Sequence, residues 1–355
     1  MEKKLALGLI FGGASSEYEV SLLSSASVLN HINADKYEIH KIGITKDGRM
    51  FRYDGPIDAI QNDSWTQHDC TPCVLSPDRS HHGYLLLGER PEAVRLDCVF
   101  PVLHGKNGED GTIQGLLTMA GIPFVGCGVL ACADCMDKIT THSILDAAGV
   151  PGARWRFTTE HLYRQDEDVF RRLVEEELGY PCFIKPANAG SSVGITKAKD
   201  SASFASGMEL ALKHDSRIIV EEMITGKEIE CAVLGNEEPI ASVLGEIVPI
   251  KEFYDYNAKY IDGTTATYVP ARISDESARE IRAVAVQAYR TLCCAGLSRV
   301  DFFLKPDGGI ILNEVNTIPG FTSISMYPQL FTADGLPYSE LIDRLIALAM
   351  ERGAL

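Results

Sequence analysis

The sequence predicts an α/β protein that opens on a doubly wound parallel sheet and continues into two α+β segments. Strand-like and helix-like runs alternate through the first 126 residues, the pattern of parallel strands joined by crossover helices. From residue 127 the texture changes to helices followed by short, spaced β runs. Late in the chain, two β runs meet through Asp307-Gly308, the mark of an antiparallel hairpin.

Taken in order, residues 5–11 are an apolar run that enters Gly12-Gly13, as a buried strand enters a turn. Residues 19–30 follow with Val20, Leu23 and Val28 at helical spacing, and residues 37–44 form the next strand. Residues 55–94 are more polar and less regular, which predicts a peripheral insertion. The apolar run 97–103 is a further strand, and 111–120 a helix that stops at Gly121. Residues 136–148 and 166–178 read as helices, and 181–185 as a short strand leading into a glycine- and serine-rich loop at 189–194. Residues 218–222 and 228–234 are the next strand candidates. The polar, tyrosine-bearing stretch 251–270 has no period; a loop of that length in a compact domain is usually functional, and Tyr254, Tyr256, Tyr260 and Tyr268 argue for a lid. Residues 278–292 are a helix with Ile281, Val284, Ala285, Ala288 and Leu292 on its core face, and 337–352 close the chain as another.

Composition narrows the function. Of 355 residues, 45% are apolar and 23% charged, enough for a sizeable core. A net charge of −16 disfavours nucleic acid, although a local cluster of cations can still hold a small anion. The ten cysteines include an adjacent pair, Cys293 and Cys294, and read as reduced thiols. Two CxxC pairs, Cys70–Cys73 and Cys132–Cys135, lack the nearby His or Cys partners of a zinc site. The run after Lys3 and Lys4 is interrupted by Gly8, unlike a signal peptide, and no stretch approaches the eighteen apolar residues of a membrane helix. A cytoplasmic protein is expected.

The most specific geometry lies in the late hairpin. With Asp307 and Gly308 as its central residues, Asp301 faces Glu314 and Arg299 faces Asn316, all on one face of the sheet. Directly opposed Cβ atoms lie about 5 Å apart. Two facing carboxylates and an amide oxygen form a hard-cation site suited to magnesium. Lys185 precedes the 190–194 loop, whose glycines and hydroxyls can approach a phosphate. No GxxxxGK[ST] or GxGxxG pattern is present. Together the lysine, loop and carboxylates suggest nucleotide-dependent phosphoryl transfer. His104 opens a glycine-rich turn at a strand's C-terminal end, where α/β sheets bind ligands.

These residues fall into an ordered series of motifs. Gly12-Gly13 with Glu17, Val20 and Ser21 begins it, then HGKNGEDGTIQG at 104–115, MDK at 136–138, IKP at 184–186 and GSSVG at 190–194. FYDYNAKY at 253–260, SRVD at 298–301 and NEVNTIPGFTS at 313–323 complete it. The set resembles the D-alanine–D-alanine ligase family of the ATP-grasp fold over essentially the whole chain. That resemblance implies an N-terminal α/β substrate-binding domain at 1–126, a central domain at 127–217, and a C-terminal domain at 218–355 carrying the lid loop 251–270. The last two would clamp ATP.

By the same resemblance, ATP phosphorylates one D-alanine and the amine of a second displaces phosphate, supplying peptidoglycan precursors. Asp301, Glu314 and Asn316 would hold two Mg2+ or Mn2+ ions. Lys138, Lys185, Ser192 and Lys259 would meet ATP phosphates, and Glu221, Glu222, Ile224 and Glu228 the adenine and ribose. Glu17 would bind the first ammonium, linked through Ser191 and Tyr260 to the phosphate loop and lid, with Val20 and His104 beside that substrate. Arg299 and the Gly320 N–H would hold the oxyanion. A homodimer is a further expectation of the family.

Ser325, Met326, Tyr254 and Lys259 would surround the second substrate, where the chain is also similar to D-alanine–D-serine ligases. Some of those carry Phe at the place of Tyr254 and Arg at that of Met326. An apolar Met326 leaves a serine hydroxyl unpartnered, a cost of about 1–3 kcal/mol, so D-alanine is expected at both sites. Ile324 stands where many members have histidine, a departure within this pocket.

Overall fold

The opening apolar run forms strand β1 (Leu5–Gly12), which pairs in parallel with β2 (Tyr37–Ile44) across the helix α1 (Tyr18–His31). The structure, a computed structural model, describes residues 3–190, 192–248, 266–322 and 324–353. Strands β3 (Met50–Tyr53), β4 (Cys70–Leu75), β5 (Gly83–Leu86), β6 (Glu92–Arg95) and β7 (Cys98–Pro101) complete a first sheet in the order β6-β5-β4-β3-β2-β1-β7. Helices α2 (Ile57–Gln61) and α3 (Thr112–Ala120) belong to the same segment.

Only β2, β1 and β7 are parallel; β3 to β6 extend the sheet antiparallel. The doubly wound expectation therefore holds for three strands and fails beyond them, and 55–94, expected as a peripheral insertion, supplies α2 and the edge strands β4 to β6. For β3 the physical cause is connection length. The five residues between Ile44 and Met50 can turn a chain back on itself but cannot carry a crossover helix.

A second sheet follows. Helices α4 (Val129–Met136) and α5 (Lys138–Ala147) lead to β8 (Trp155–Thr159), α6 (Glu160–Gln165), α7 (Glu167–Glu177), β9 (Cys182–Pro186), β10 (Thr196–Ala198), α8 (Ser201–Ala211) and β11 (Arg217–Glu222). Its strand order is β10-β9-β11-β8. The helix expected at 136–148 is α5, whose start is set at Lys138 because Asp137 accepts a hydrogen bond from Thr140 N–H at 2.9 Å and caps it.

The third sheet, ordered β14-β13-β12-β15-β16, comprises β12 (Lys227–Gly235), β13 (Ile240–Val248), β14 (Ala266–Tyr268), β15 (Gly296–Leu304) and β16 (Ile310–Asn316). Helix α9 (Asp275–Thr291), capped by Ser274, covers one face; α10 (Met326–Ala333) and α11 (Tyr338–Arg352) lie on the other. Most of the expected lid, 251–265, lies outside the described residues.

Buried side chains tie the segments together. One core joins Leu7, Leu9 and Phe11 of β1 to Leu234 of β12 and to Leu341 and Leu345 of α11. Another joins Cys132 and Leu145 of α4 and α5 to Val300 and Val315 of the third sheet. A third fills the second sheet with Phe170, Phe204 and Val220. No helix among the described residues is long and apolar enough to cross a membrane.

Candidate active site

The carboxylates of the late hairpin sit where the sequence reading put them, by a different route. Arg299 pairs with Asn316 and Asp301 with Glu314, as expected. The turn is not the two-residue one. Gly308 N–H donates to Lys305 C=O and Lys305 N–H to Gly309 C=O, with Gly308 at φ +87°, the three-residue loop that needs glycine. That alone would shift every partner by one. An irregularity between Asp301 and Phe302 restores the register, so Asn313 is the extra residue of a bulge. Leu312 N–H there bonds Pro151 C=O at 2.8 Å, outside the ladder.

One sheet face thus carries two rows of polar residues. Glu230 of β12, Asp301 of β15 and Glu314 of β16 are directly opposed in one row; Arg299 and Asn316 share the next. Arg299 donates Nε and Nη2 to the two Asp301 oxygens at 2.8 and 2.6 Å, and its Nε is 3.1 Å from Glu230 Oε2. Burial opposes the guanidinium charge, but Asp301 and Glu230 outweigh it and hold its pKa well above the usual value. Asn316 Nδ2 donates to Asp301 at 3.0 Å and to Glu314 at 3.4 Å.

The donor set fits a hard cation. The Asn316 amide here bridges the two carboxylates, and its rotation would offer a third oxygen in their place. Among the described residues no group of three or more His, Cys, Asp or Glu side chains is arranged to hold a metal. An ion on this pair would therefore complete its shell with water and phosphate oxygens, as magnesium does. All ten cysteines are free.

Two clefts meet at this face. The first is lined by Glu17, His104, Arg299, Gly320, Ser325 and Met326; the second by Lys185, Glu221, Glu222, Ile224, Glu228 and Asp301. Lys138, Ser192, Glu230 and Glu314 line both, which puts them at the seam. Val20 lines neither cleft and is buried in α1. Ser191, Tyr254, Lys259 and Tyr260 lie outside the described residues.

Each cleft is built by local rules. As the first residue of α5, Lys138 has its N–H on Ala187 C=O and its Nζ on Ala189 C=O at 2.7 Å, which ties the helix start to the glycine loop. Burial lowers the Lys138 pKa, opposed by Glu314 and Glu221. Ser192 holds φ at +59°, a conformation a serine seldom adopts and one that concentrates at ligand sites. Lys185 Nζ lies 2.6 Å from Glu221 Oε2, and His142 Nε2 is 3.2 Å from Glu221 Oε1. Glu222 is turned outward to Arg154.

In the first cleft, Glu17 is buried at the start of α1. A Cβ on Gly105 would come within 2.2 Å of its Oε2, and one on Gly190 within 2.9 Å. The His104 turn and the glycine loop thus close on one carboxylate from both sides. His104 Nδ1 donates to Ile318 C=O at 3.0 Å and its Nε2 meets Ser24 Oγ at 3.0 Å. Ser24 Oγ also accepts Phe321 N–H, so His104 positions the 318–321 segment that carries Gly320. Burial works against protonation of His104, but Glu109 and Glu17 outweigh it and raise its pKa. Ser325 Oγ ties back to Thr322, accepting its N–H at 3.0 Å. Met326 is buried against Gly245, where a Cβ would meet its Sδ at 2.7 Å. Ile324 is exposed.

The sequence reading missed Glu230, His142, Ser24 and Glu109. Glu230 alternates with Glu228 on a strand that was already assigned, a period-two signal that could have placed it on the site face. Nothing local marks His142 or Ser24, whose partners are 79 and 80 residues away.

Comparison with known proteins follows the same lines. Residues 6–127 match the family model described as D-ala D-ala ligase N-terminus, and 144–347 match D-ala D-ala ligase C-terminus. The D-alanine–D-alanine ligase of Acetivibrio thermocellus is 48% identical, over 99% of this chain and 97% of that one. That of Ruminiclostridium cellulolyticum is 50% identical, over 99% and 96%. Among solved structures, the VanG D-Ala:D-Ser ligase of Enterococcus faecalis superposes with a TM-score of 0.90 at 44% identity, covering 98% of this chain and all of that one.

Proposed function

The chain belongs to the D-alanine–D-alanine ligase family, and we infer that it joins two D-alanines into D-alanyl-D-alanine, using ATP, for peptidoglycan precursor synthesis. A carboxylate oxygen is a poor leaving group, so the first D-alanine must be activated. Its carboxylate oxygen attacks the γ-phosphorus of ATP and ADP departs. The amine of the second D-alanine then attacks the acyl carbon and loses a proton, and phosphate leaves with the bonding pair.

The observation that carries this reading is the seam. Lys138, Ser192 and Glu314 line both clefts, beside an Arg299–Asp301 fork and the Asp301–Glu314 pair. In our reading the second cleft takes ATP, with Lys138, Lys185 and Ser192 on its phosphates and Glu221, Glu222, Ile224 and Glu228 around adenine and ribose. Asp301, Glu314 and Asn316 hold two Mg2+ or Mn2+ ions, which supply charge neutralisation for the transferred group when bound. Glu17 takes the first ammonium, with Ser191 and Tyr260 linking it to loop and lid. Arg299 and the Gly320 N–H hold the oxyanion; Ser325 and Lys259 receive the second carboxylate. Closure of 251–270 would keep water from the acyl phosphate. The division at 126 and 217, a homodimer and a cytoplasmic location complete the proposal.

A second reading, D-serine at the acceptor site, is favoured by the likeness to VanG. The buried thioether of Met326 speaks for alanine, because it offers a hydroxyl no partner. Ligation of D-alanine in the presence of excess D-serine, with products weighed by mass spectrometry, decides between them. Dialanine as the main product supports the first reading; a dominant mixed dipeptide supports the second.

A further inference from the structure

Glu230 lines both clefts and has no role in the chemistry described so far. It is 7% exposed, stands directly opposite Asp301, and touches Arg299 at 3.1 Å. Arg299 is therefore clamped between carboxylates on neighbouring strands. Its bidentate partner, Asp301, is also the group that faces Glu314 and would share a cation with it. A divalent ion there repels the guanidinium and competes for the same oxygens. Arg299 held by Asp301 alone would be loosened as the site loads. Glu230 lies on the far side of Asp301 from Glu314, with Arg299 Nε within reach, so its charge favours the guanidinium without bridging to the Glu314 side.

We propose that Glu230 is a positioning residue, holding the Arg299 guanidinium in place against the charge of the ion bound by Asp301 and Glu314. This rests on the ligase reading above. The full-length protein must therefore first make dialanine; failure there counts against that reading and not against Glu230. Glu230→Gln keeps the shape and removes the charge. Its kcat should fall by about ten- to a hundredfold, somewhat less than loss of an oxyanion donor itself. KM for ATP and for the first D-alanine should stay within about twofold, the split expected when an interaction acts in the transition state. Mn2+ binding to the nucleotide-free protein, followed by its paramagnetic resonance signal, should change by less than about threefold, because no ligand is lost. Glu230→Asp should recover part of kcat. In an Arg299→Met background, Glu230→Gln should have no further effect, since both changes act through one group.

Three outcomes would overturn the proposal: kcat of Glu230→Gln within about twofold of the parent, multiplicative effects of the two changes, or a loss of Mn2+ affinity of about tenfold or more, which would make Glu230 a ligand. Should Glu230→Gln not fold, the same cycle is run with Glu230→Asp, where non-additivity is again expected.

Discussion

Lys185 Nζ lies 2.6 Å from Oε2 of Glu221, a carboxylate buried at 5% exposure whose other oxygen faces His142. Burial alone would push the Glu221 pKa up, but Lys185 and His142 outweigh it and hold the carboxyl far below its usual range. Removing one partner of a buried pair leaves the other charge uncompensated, so Glu221→Ala should cost about 3 kcal/mol in urea unfolding at pH 7. A depressed carboxylate contributes stability that is fully present above its unfolded pKa of about 4.5 and is lost as pH falls toward the folded value. The difference between parent and Glu221→Gln should therefore stay constant from about pH 7 to 5.5 and shrink in acid below that. A difference that grew on acidification would contradict the pairing.

Gly105 and Gly190 both crowd Glu17, but only Gly105 has a positive φ, +68°. Gly105→Ala should cost about 1–2 kcal/mol from that conformation and displace the Glu17 carboxylate. We expect kcat/KM for D-alanine to fall about tenfold or more, the usual penalty for a misplaced binding group. Gly190→Ala, with ordinary backbone and a longer approach, should lose less. Steady-state kinetics on the two variants rank them.

Asp137 caps α5 through Thr140 N–H and also pairs with Arg217, so it fixes where Lys138 begins. Asp137→Ala should lower stability by about 1 kcal/mol and raise KM for ATP, whereas Asp137→Asn, which keeps a capping oxygen, should retain much of both. Thermal melts and ATP titrations measure the two effects separately.

Met326 fills the space beside Gly245 and presents only a thioether to the first cleft. Met326→Arg adds a hydrogen-bond donor there and should raise the D-serine to D-alanine product ratio about tenfold. An unchanged ratio would remove Met326 from the specificity of the second site.

Legibility in the sequence followed the range of the forces. The hairpin face was readable because pairing alternates strictly along a strand, yet its success needed two departures, the loop at Gly308 and the bulge at Asn313, to cancel. The start of α5 was set by a capping residue, Asp137, that the helical spacing of 136–148 did not single out. Antiparallel growth of the first sheet depended on weakly patterned strands, such as Glu92–Arg95, with no buried residue. His104 was readable as a residue at a ligand-binding strand end; its bonds to Ser24 and Ile318 depend on tertiary packing.

The most direct measurement of the central claim uses D-alanine labelled with 18O in its carboxylate, ATP and Mg2+. If one D-alanine is activated as its acyl phosphate, the only peptide formed is dialanine, and each phosphate released carries one oxygen from the labelled carboxylate. Unlabelled phosphate, or ATP turnover without dipeptide, would contradict the ligase chemistry assigned to this chain.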